Sequence, residues 1–102
     1  MREYRFKRGF QATQDRLEEM LKKHFENFEK DGDFCVVRNF GAIEELRAKL
    51  NGKVLLVETK TKLVDDETAL KTIKTYNRFL EELTGYTAKE RQKMLRKEVE
   101  LI

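Results

Sequence analysis

Over the first residues apolar and polar side chains alternate: Tyr4 and Phe6 share one side, and Glu3, Arg5 and Lys7 share the other. That period of two predicts a strand over 3–8, closed by Gly9. From Thr13 the period lengthens. Leu17, Met20, Leu21, His24, Phe25 and Phe28 recur at helical spacing behind an N-cap threonine, which predicts an amphipathic helix over roughly 14–28. Asp31-Gly32-Asp33 breaks it. Residues 34–40 are apolar at both parities, as in a strand lying inside a sheet, and Gly41 supplies the next corner.

The clearest local signal is Asn51-Gly52 between two runs able to pair. With those two residues at the tip of a tight turn, Leu50 is expected to face Lys53, Ala48 to face Leu55 and Leu46 to face Val57. That side reads as core-facing. Residues 43–50 also fit a short helix through Ile43, Leu46, Ala48 and Leu50, but the Val54–Val57 run offers them a strand partner.

Asp65-Asp66-Glu67 places acidic groups where a helix N-terminus favours them, and Gly85 stops that helix as a C′ glycine would. Leu70, Ile73, Tyr76, Leu80 and Leu83 form its expected buried stripe, with Ala69 and Phe79 alongside. Thr87 and Glu90 have the spacing of a capping box, opening a third helix through about residue 97. Its apolar stripe, Ala88, Met94, Leu95 and Val99, is thin. The order is β-α-β-β-β-α-α. The predicted fold is a single α+β domain over residues 1–102: a four-stranded, mostly antiparallel sheet with helices packed on one face. The first strand either follows a parallel crossover or joins the far edge of the hairpin.

Composition narrows the class. There are 22 basic and 19 acidic residues, a net charge of +3, and 40% of the chain is charged. Both signs are mixed throughout, as on a solvated, ion-paired surface. Positive charge concentrates at two places. Residues 1–8 carry Arg2, Arg5, Lys7 and Arg8 against Glu3, and residues 86–102 carry Lys89, Arg91, Lys93, Arg96 and Lys97 against Glu90, Glu98 and Glu100. No apolar run reaches the ~18 residues of a membrane span. The basic opening residues lack the apolar stretch of a signal peptide. A lone cysteine, Cys35, fits a reducing, cytoplasmic setting. Abundant Lys and Glu with no proline, serine or tryptophan suits a hot habitat.

Four segments carry a resemblance: Phe6-Lys7-Arg8-Gly9-Phe10, Phe40-Gly41-Ala42-Ile43, Leu55-Leu56-Val57-Glu58-Thr59 and, most distinctively, Gly85-Tyr86-Thr87-Ala88-Lys89-Glu90-Arg91. With them the chain resembles, over nearly its whole length, a family of small uncharacterised archaeal proteins, a domain of unknown function. The resemblance implies an archaeal, cytoplasmic protein. It brings no activity and no site residues. The β-α-β…-α order is also similar to that of TATA-binding-protein-like saddle folds, an analogy of architecture that carries no function.

Catalytic chemistry finds little to work with. There is no serine nucleophile. Cys35 sits among Phe34, Val36 and Val37, where a cysteine acts as a small hydrophobe, and His24 falls on an apolar stripe. Glu44, Glu45 and Glu58 could act as acid or base, but no second group is placed to work with them. His24, Asp31, Asp33 and Cys35 match no zinc spacing, and Asp31-Gly32-Asp33 lacks the later ligands of a calcium loop. Asp65-Asp66-Glu67 is accounted for by helix capping. The five glycines, at 9, 32, 41, 52 and 85, are scattered at element boundaries and form no phosphate cradle. No metal and no cofactor is expected.

What remains is the uncovered face of the sheet. With Tyr4, Phe6, Leu46, Ala48, Leu50, Leu55 and Val57 turned to the helices, the reverse face shows Arg5, Lys7, Arg47, Lys49, Val54, Leu56, Lys60 and Lys62, joined by Cys35 and Val37 or their neighbours. The primary expectation is a non-enzymatic binding or assembly domain that forms a homo-oligomer through this face, centred on Val54, Leu56 and Val37. The alternative is a nucleic-acid-binding protein using Arg5, Lys7, Arg47, Lys49 and Lys60 together with Lys89, Arg91, Lys93, Arg96 and Lys97 of the third helix. A base-stacking platform needs exposed aromatics. The pattern leaves only Phe10 and Tyr86 for that role.

Overall fold

The computed structural model describes residues 2–93. Strand β1 (Arg2–Arg5) leads into helix α1 (Gln14–Phe25), followed by β2 (Glu29–Asp31), β3 (Phe34–Phe40), β4 (Ile43–Asn51), β5 (Val54–Thr61) and helix α2 (Asp66–Thr84). Residues 88–93 are again helical. The five strands form one sheet in the order β1-β5-β4-β3-β2, with every pairing antiparallel. Thus β1 takes the far edge of the hairpin, and no parallel crossover forms.

The sheet therefore has five strands where four were expected. The extra strand is β2. Helix α1 ends at Phe25, earlier than the apolar spacing through Phe28 suggested, because Glu26 leaves the helix at φ 69°, ψ −44°, with the Asn27 amide donating to Phe25 O around it. Asn27 and Phe28 lead outward, and Glu29–Asp31 pairs with Phe34–Val36 across the Gly32 turn. Asp31-Gly32-Asp33 is a hairpin turn as well as a helix breaker. Phe28 still packs on the core, from the approach to β2.

The central hairpin is displaced by one position. Asn51 pairs with Val54, Leu50 with Leu55 and Ala48 with Val57, so the two-residue loop is Gly52-Lys53. Positive φ falls on Gly52 (63°) and not on its neighbours, the pattern of a type II′ turn with glycine first. Because the displacement preserves strand parity, the inward set is the expected one. Leu46, Ala48, Leu55 and Val57 are buried with Cys35, Val37 and Ile43 beneath Leu17, Leu21 and Phe25 of α1 and Phe79, Leu80 and Leu83 of α2.

Both helices begin on their expected caps. Thr13 Oγ1 accepts from the Arg16 amide, and Asp65 accepts from Thr68 N and from its hydroxyl. Gly85, left-handed at φ 86°, returns its amide to Glu81 O and closes α2. The capping box forms reciprocally: Thr87 N donates to Glu90 Oε1 and Glu90 N to Thr87 Oγ1. Of the third helix's apolar stripe, Met94, Leu95 and Val99 lie outside the described residues.

The buried stripe of α2 holds at Leu80 and Leu83, with Phe79 buried alongside and Tyr76 packed on the core, and departs from expectation only in the first half of the helix. Leu70 and Ile73 are 58% and 55% exposed, while Thr72 and Thr84 are buried. Thr72 is drawn inward because its hydroxyl accepts the Ala42 amide (2.9 Å) and donates to Thr68 O (2.8 Å). Seating Thr72 on the β3–β4 corner turns Leu70 and Ile73 outward.

Between the helices, Glu82 accepts from Lys23 Nζ (2.9 Å) and lies 3.0 Å from His24 Nε2. These two bonds hold its carboxyl below the ordinary glutamate value of 4.5. A depressed folded value means that the contribution is complete above the unfolded value and disappears as pH falls through the folded one. Glu82→Gln is expected to make the acid limb of melting temperature against pH shallower below about pH 4.5. An acid limb identical to wild type would contradict this role.

Candidate functional site

The register assigns every strand residue to a face, and the face away from the helices forms the candidate site. From β3 come Phe34, Val36 and Arg38, and from β4 Glu45, Arg47 and Lys49. Val54, Leu56, Glu58 and Lys60 come from β5. The edges add Glu3 and Arg5 from β1 and Glu29 and Asp31 from β2. Cys35 and Val37 face the core, so their neighbours Phe34 and Val36 supply the open face.

This face is built around apolar side chains under a charged cover. Val36 is 1% exposed although no described helix lies over it, and Phe34, Val54 and Leu56 are half-buried. The Arg47 guanidinium lies 4.7 Å and the Lys49 ammonium 5.1 Å from the Phe34 ring centroid. Arg47 is held by Asp31 Oδ2 at 3.0 Å and approaches Glu45 at 4.0 Å. Arg38 reaches Glu29 and Glu45 at 3.7 and 3.8 Å. Among the described strand residues of the face charge balances: Arg5, Arg38, Arg47, Lys49 and Lys60 stand with Glu3, Glu29, Asp31, Glu45 and Glu58, and Lys62 lies one residue past the end of β5.

Arg5, Arg47, Lys49, Val54, Leu56 and Lys60 therefore come together on one surface. Lys7 does not join them. The strand ends at Arg5, the Lys7 amide bonds Thr84 O, and its ammonium sits 5.9 Å from the Tyr86 ring centroid and 3.8 Å from Glu90. Among the third-helix basics, Lys89 and Lys93 are exposed. Arg91 is 9% exposed and donates to Tyr86 O (2.6 Å) and Asn77 Oδ1 (3.0 Å), fastening its helix to α2. Burial pulls its guanidinium below the usual arginine value. Arg96 and Lys97 lie outside the described residues. Of the two aromatics expected to be free, Phe10 is 38% exposed, beside Arg16 and Gly85, while Tyr86 is partly buried under Lys7.

Pattern reading left β3 open between Cys35 with Val37 and their neighbours, because the strand is apolar at both parities, and the register selects Phe34 and Val36. Arg38, at the same parity as Phe34 and Val36, is the sequence signal that marks the outward side. Cys35 is buried with Gln14 Nε2 at 3.5 Å from its sulfur, and burial raises the thiol above its ordinary value. His24 sits edge-on to Phe79 and partners Glu82. The two residues thus have separate partners. Among the described residues no group of three His, Cys, Asp or Glu side chains converges as metal ligands would. Nor is any described helix long and apolar enough to cross a membrane.

A family model, the domain of unknown function DUF5611, matches residues 1–97. The chain belongs to this family. The DUF5611 chain is also similar to the hypothetical protein TA0095 from Thermoplasma acidophilum, whose structure was solved in solution by NMR. Identity is 34%, the alignment covers 93% of this chain and 97% of that one, and the TM-score is 0.64. No curated protein is significantly similar to it. The archaeal neighbour and the family agree with the resemblance carried by the four sequence segments.

Proposed function

We propose that this DUF5611 chain is a non-enzymatic binding and assembly domain that associates with a second copy of itself through the open sheet face. The observation that carries the reading is the balance of charge around an apolar centre. A two-fold interface places each residue of the patch against the patch itself. A face with as many acids as bases can complement its own copy, whereas a partner with one sign of charge would meet repulsion over half the surface. The arrangement of Val36, Phe34, Leu56 and Val54 within a charged surround is also that of an interface core and rim.

Strands of 4, 3, 7, 9 and 8 residues about 4.8 Å apart, at about 3.3 Å per residue, give a face of roughly 500 Å². That is below the roughly 800 Å² per partner of a standard interface and in the range of weak, reversible contacts. Leu56→Glu sets a carboxylate at the centre of the contact, where its partner copy would be the same group. Light scattering coupled to gel filtration is expected to find that variant monomeric, with an unchanged circular dichroism spectrum. Dimeric Leu56→Glu would place the contact elsewhere.

Nucleic acid ranks second. Phe34 between Arg47 and Lys49 is the observation in its favour, since an aromatic with two cations is a stacking element. The charge balance argues against it, because phosphate binding needs a positive excess. Fluorescence anisotropy with duplex DNA and single-stranded RNA separates the two readings, through a steep salt dependence in the second.

A further inference from the structure

Strand β5 outruns its neighbour at the sheet edge. Arg2 pairs with Val57, while β5 continues beside β4 to Thr61, so no described strand pairs with residues 59–61 from the β1 side. The direction of the backbone groups there follows from the hydrogen bonds on the other side. The Lys62 amide donates to Ala42 O at 2.9 Å, toward β4, and Asn51 pairs with Val54 across the two-residue loop. Backbone groups alternate in direction along a strand, so the even-numbered residues of β5 turn theirs to β4. Thr59 and Thr61, both exposed, therefore turn an N–H and a C=O each to the free edge, a template for a further strand.

A pocket lies beside that edge. Helix α2 leaves about 250 Å³ above the sheet, with Ile43, Thr59 and Thr61 as the floor and Ala69, Ile73 and Tyr76 as the roof. The roof residues form one stripe of α2, and the Tyr76 hydroxyl lies 3.1 Å from that of Tyr4 on β1, so the stripe looks toward the edge. The lining is almost wholly apolar, and Ile73 is half-exposed. An apolar cavity of about 150 Å³ accepts one benzene ring, so this one holds a leucine or phenylalanine side chain. Charge completes the site. Lys60, between the two threonines, projects to the opposite face of the sheet, and exposed Lys62 follows just past the strand. Neither makes an ion pair with a described residue, and together they outnumber Glu58 at this end of β5.

We propose that this edge captures an extended segment of another polypeptide, pairing antiparallel with residues 59–61 in line with β1. Side chains of an added strand alternate as those of β5 do. Residues opposite Thr59 and Thr61 therefore point toward α2, where one apolar side chain enters the pocket, and the residue between them stands beside Lys60, where an acid fits. Main-chain pairing holds the segment, and the pocket and the lysine select its sequence. The site lies at the sheet edge and shares only Lys60 with the proposed interface.

The test is a titration of the isotope-labelled full chain with the capped peptide Thr-Val-Glu-Leu-Thr, followed by amide chemical shifts. Shifts are expected at Thr59, Lys60, Thr61 and Ile73, with hydrogen exchange slowed at the Thr59 and Thr61 amides. Alanine in place of the peptide's valine and leucine should weaken binding about tenfold or more, the worth of a buried side chain. N-methylation of the peptide leucine removes a donor to the edge and should weaken it about fivefold or more. Lys60→Glu should weaken it about threefold and favour instead a peptide with lysine at its centre. No shifts up to millimolar peptide, an N-methylated peptide bound as tightly as its parent, or unchanged affinity in Lys60→Glu would each overturn the proposal. Edge shifts that follow the protein's own concentration without peptide would assign the edge to a second copy and overturn it as well.

Discussion

Phe79→Ala is expected to lower the unfolding free energy by about 3–5 kcal/mol, the usual cost of emptying a fully buried aromatic site. Phe79 is 0% exposed and stands where the two helices and the sheet meet. Its ring makes an edge contact with Phe25 at 5.3 Å, and Phe25 makes another with Phe40 at 5.0 Å, so three elements share one aromatic cluster. His24 approaches from the same helix at 6.2 Å. Neighbours on two rigid helices and a sheet cannot collapse far into the space. Against a domain stability of about 5–15 kcal/mol, this one substitution removes a large fraction. Urea unfolding should show a much lower midpoint with an unchanged slope. A loss below about 1 kcal/mol would mean that α2 is anchored elsewhere.

The next largest effect is expected at Gly41, and there the cause is backbone geometry. Its φ is +52°, a conformation costing an L-residue roughly 1–2 kcal/mol. A Cβ would also fall on Thr72 Oγ1, inside contact distance. Thr72 cannot yield freely, because that oxygen holds the Ala42 amide and donates to Thr68 O. Leaving a largely buried amide unsatisfied adds about 1–3 kcal/mol. Gly41→Ala should therefore cost roughly 2–5 kcal/mol by thermal or urea unfolding. The same substitution in a Thr72→Ala background should cost measurably less, since the clash is gone. Equal costs in both backgrounds would show that the two residues are not coupled.

These two sites also show how much of the fold is legible in the sequence. Where a local rule acts alone, pattern and structure agree. Thr13, Asp65 and Gly85 cap as their types require, and the Thr87/Glu90 box closes as its spacing implies. Leu46, Ala48, Leu55 and Val57 face inward because strand parity survives even when the turn moves by one residue. Where tertiary contacts decide, the pattern misleads. The apolar spacing of α2 favoured Leu70 and Ile73, but in that half of the helix Thr72 is buried instead, its hydroxyl accepting the Ala42 amide at the β3–β4 corner. β2 is three residues, Glu29–Asp31, all exposed, and carries no apolar signature by which to recognise it.

The open face was legible in the same uneven way. Arg5, Arg47, Lys49, Val54, Leu56 and Lys60 followed from parity. Phe34 did not, because a strand apolar on both sides gives no phase. Two of the five acids of the face were also lost, while Glu45 and Glu58 were legible from the hairpin. Asp31 and Glu29 belong to the unrecognised strand, and their pairing with Arg47 and Arg38 turns a basic-looking surface into a balanced one. That change moves the reading away from nucleic acid. Tyr4 and Tyr76 are far apart in sequence, and only the fold brings their hydroxyls to 3.1 Å.

The most direct measurement is sedimentation equilibrium of the wild-type chain over a range from about ten micromolar to high micromolar, with Leu56→Glu run beside it. The expected result is a wild-type mass rising with concentration from one chain, 12.2 kDa, toward two, while Leu56→Glu stays at one. The rise should persist in added salt, since the centre of the contact is apolar. A wild-type mass of one chain throughout that range would contradict self-association through the sheet face.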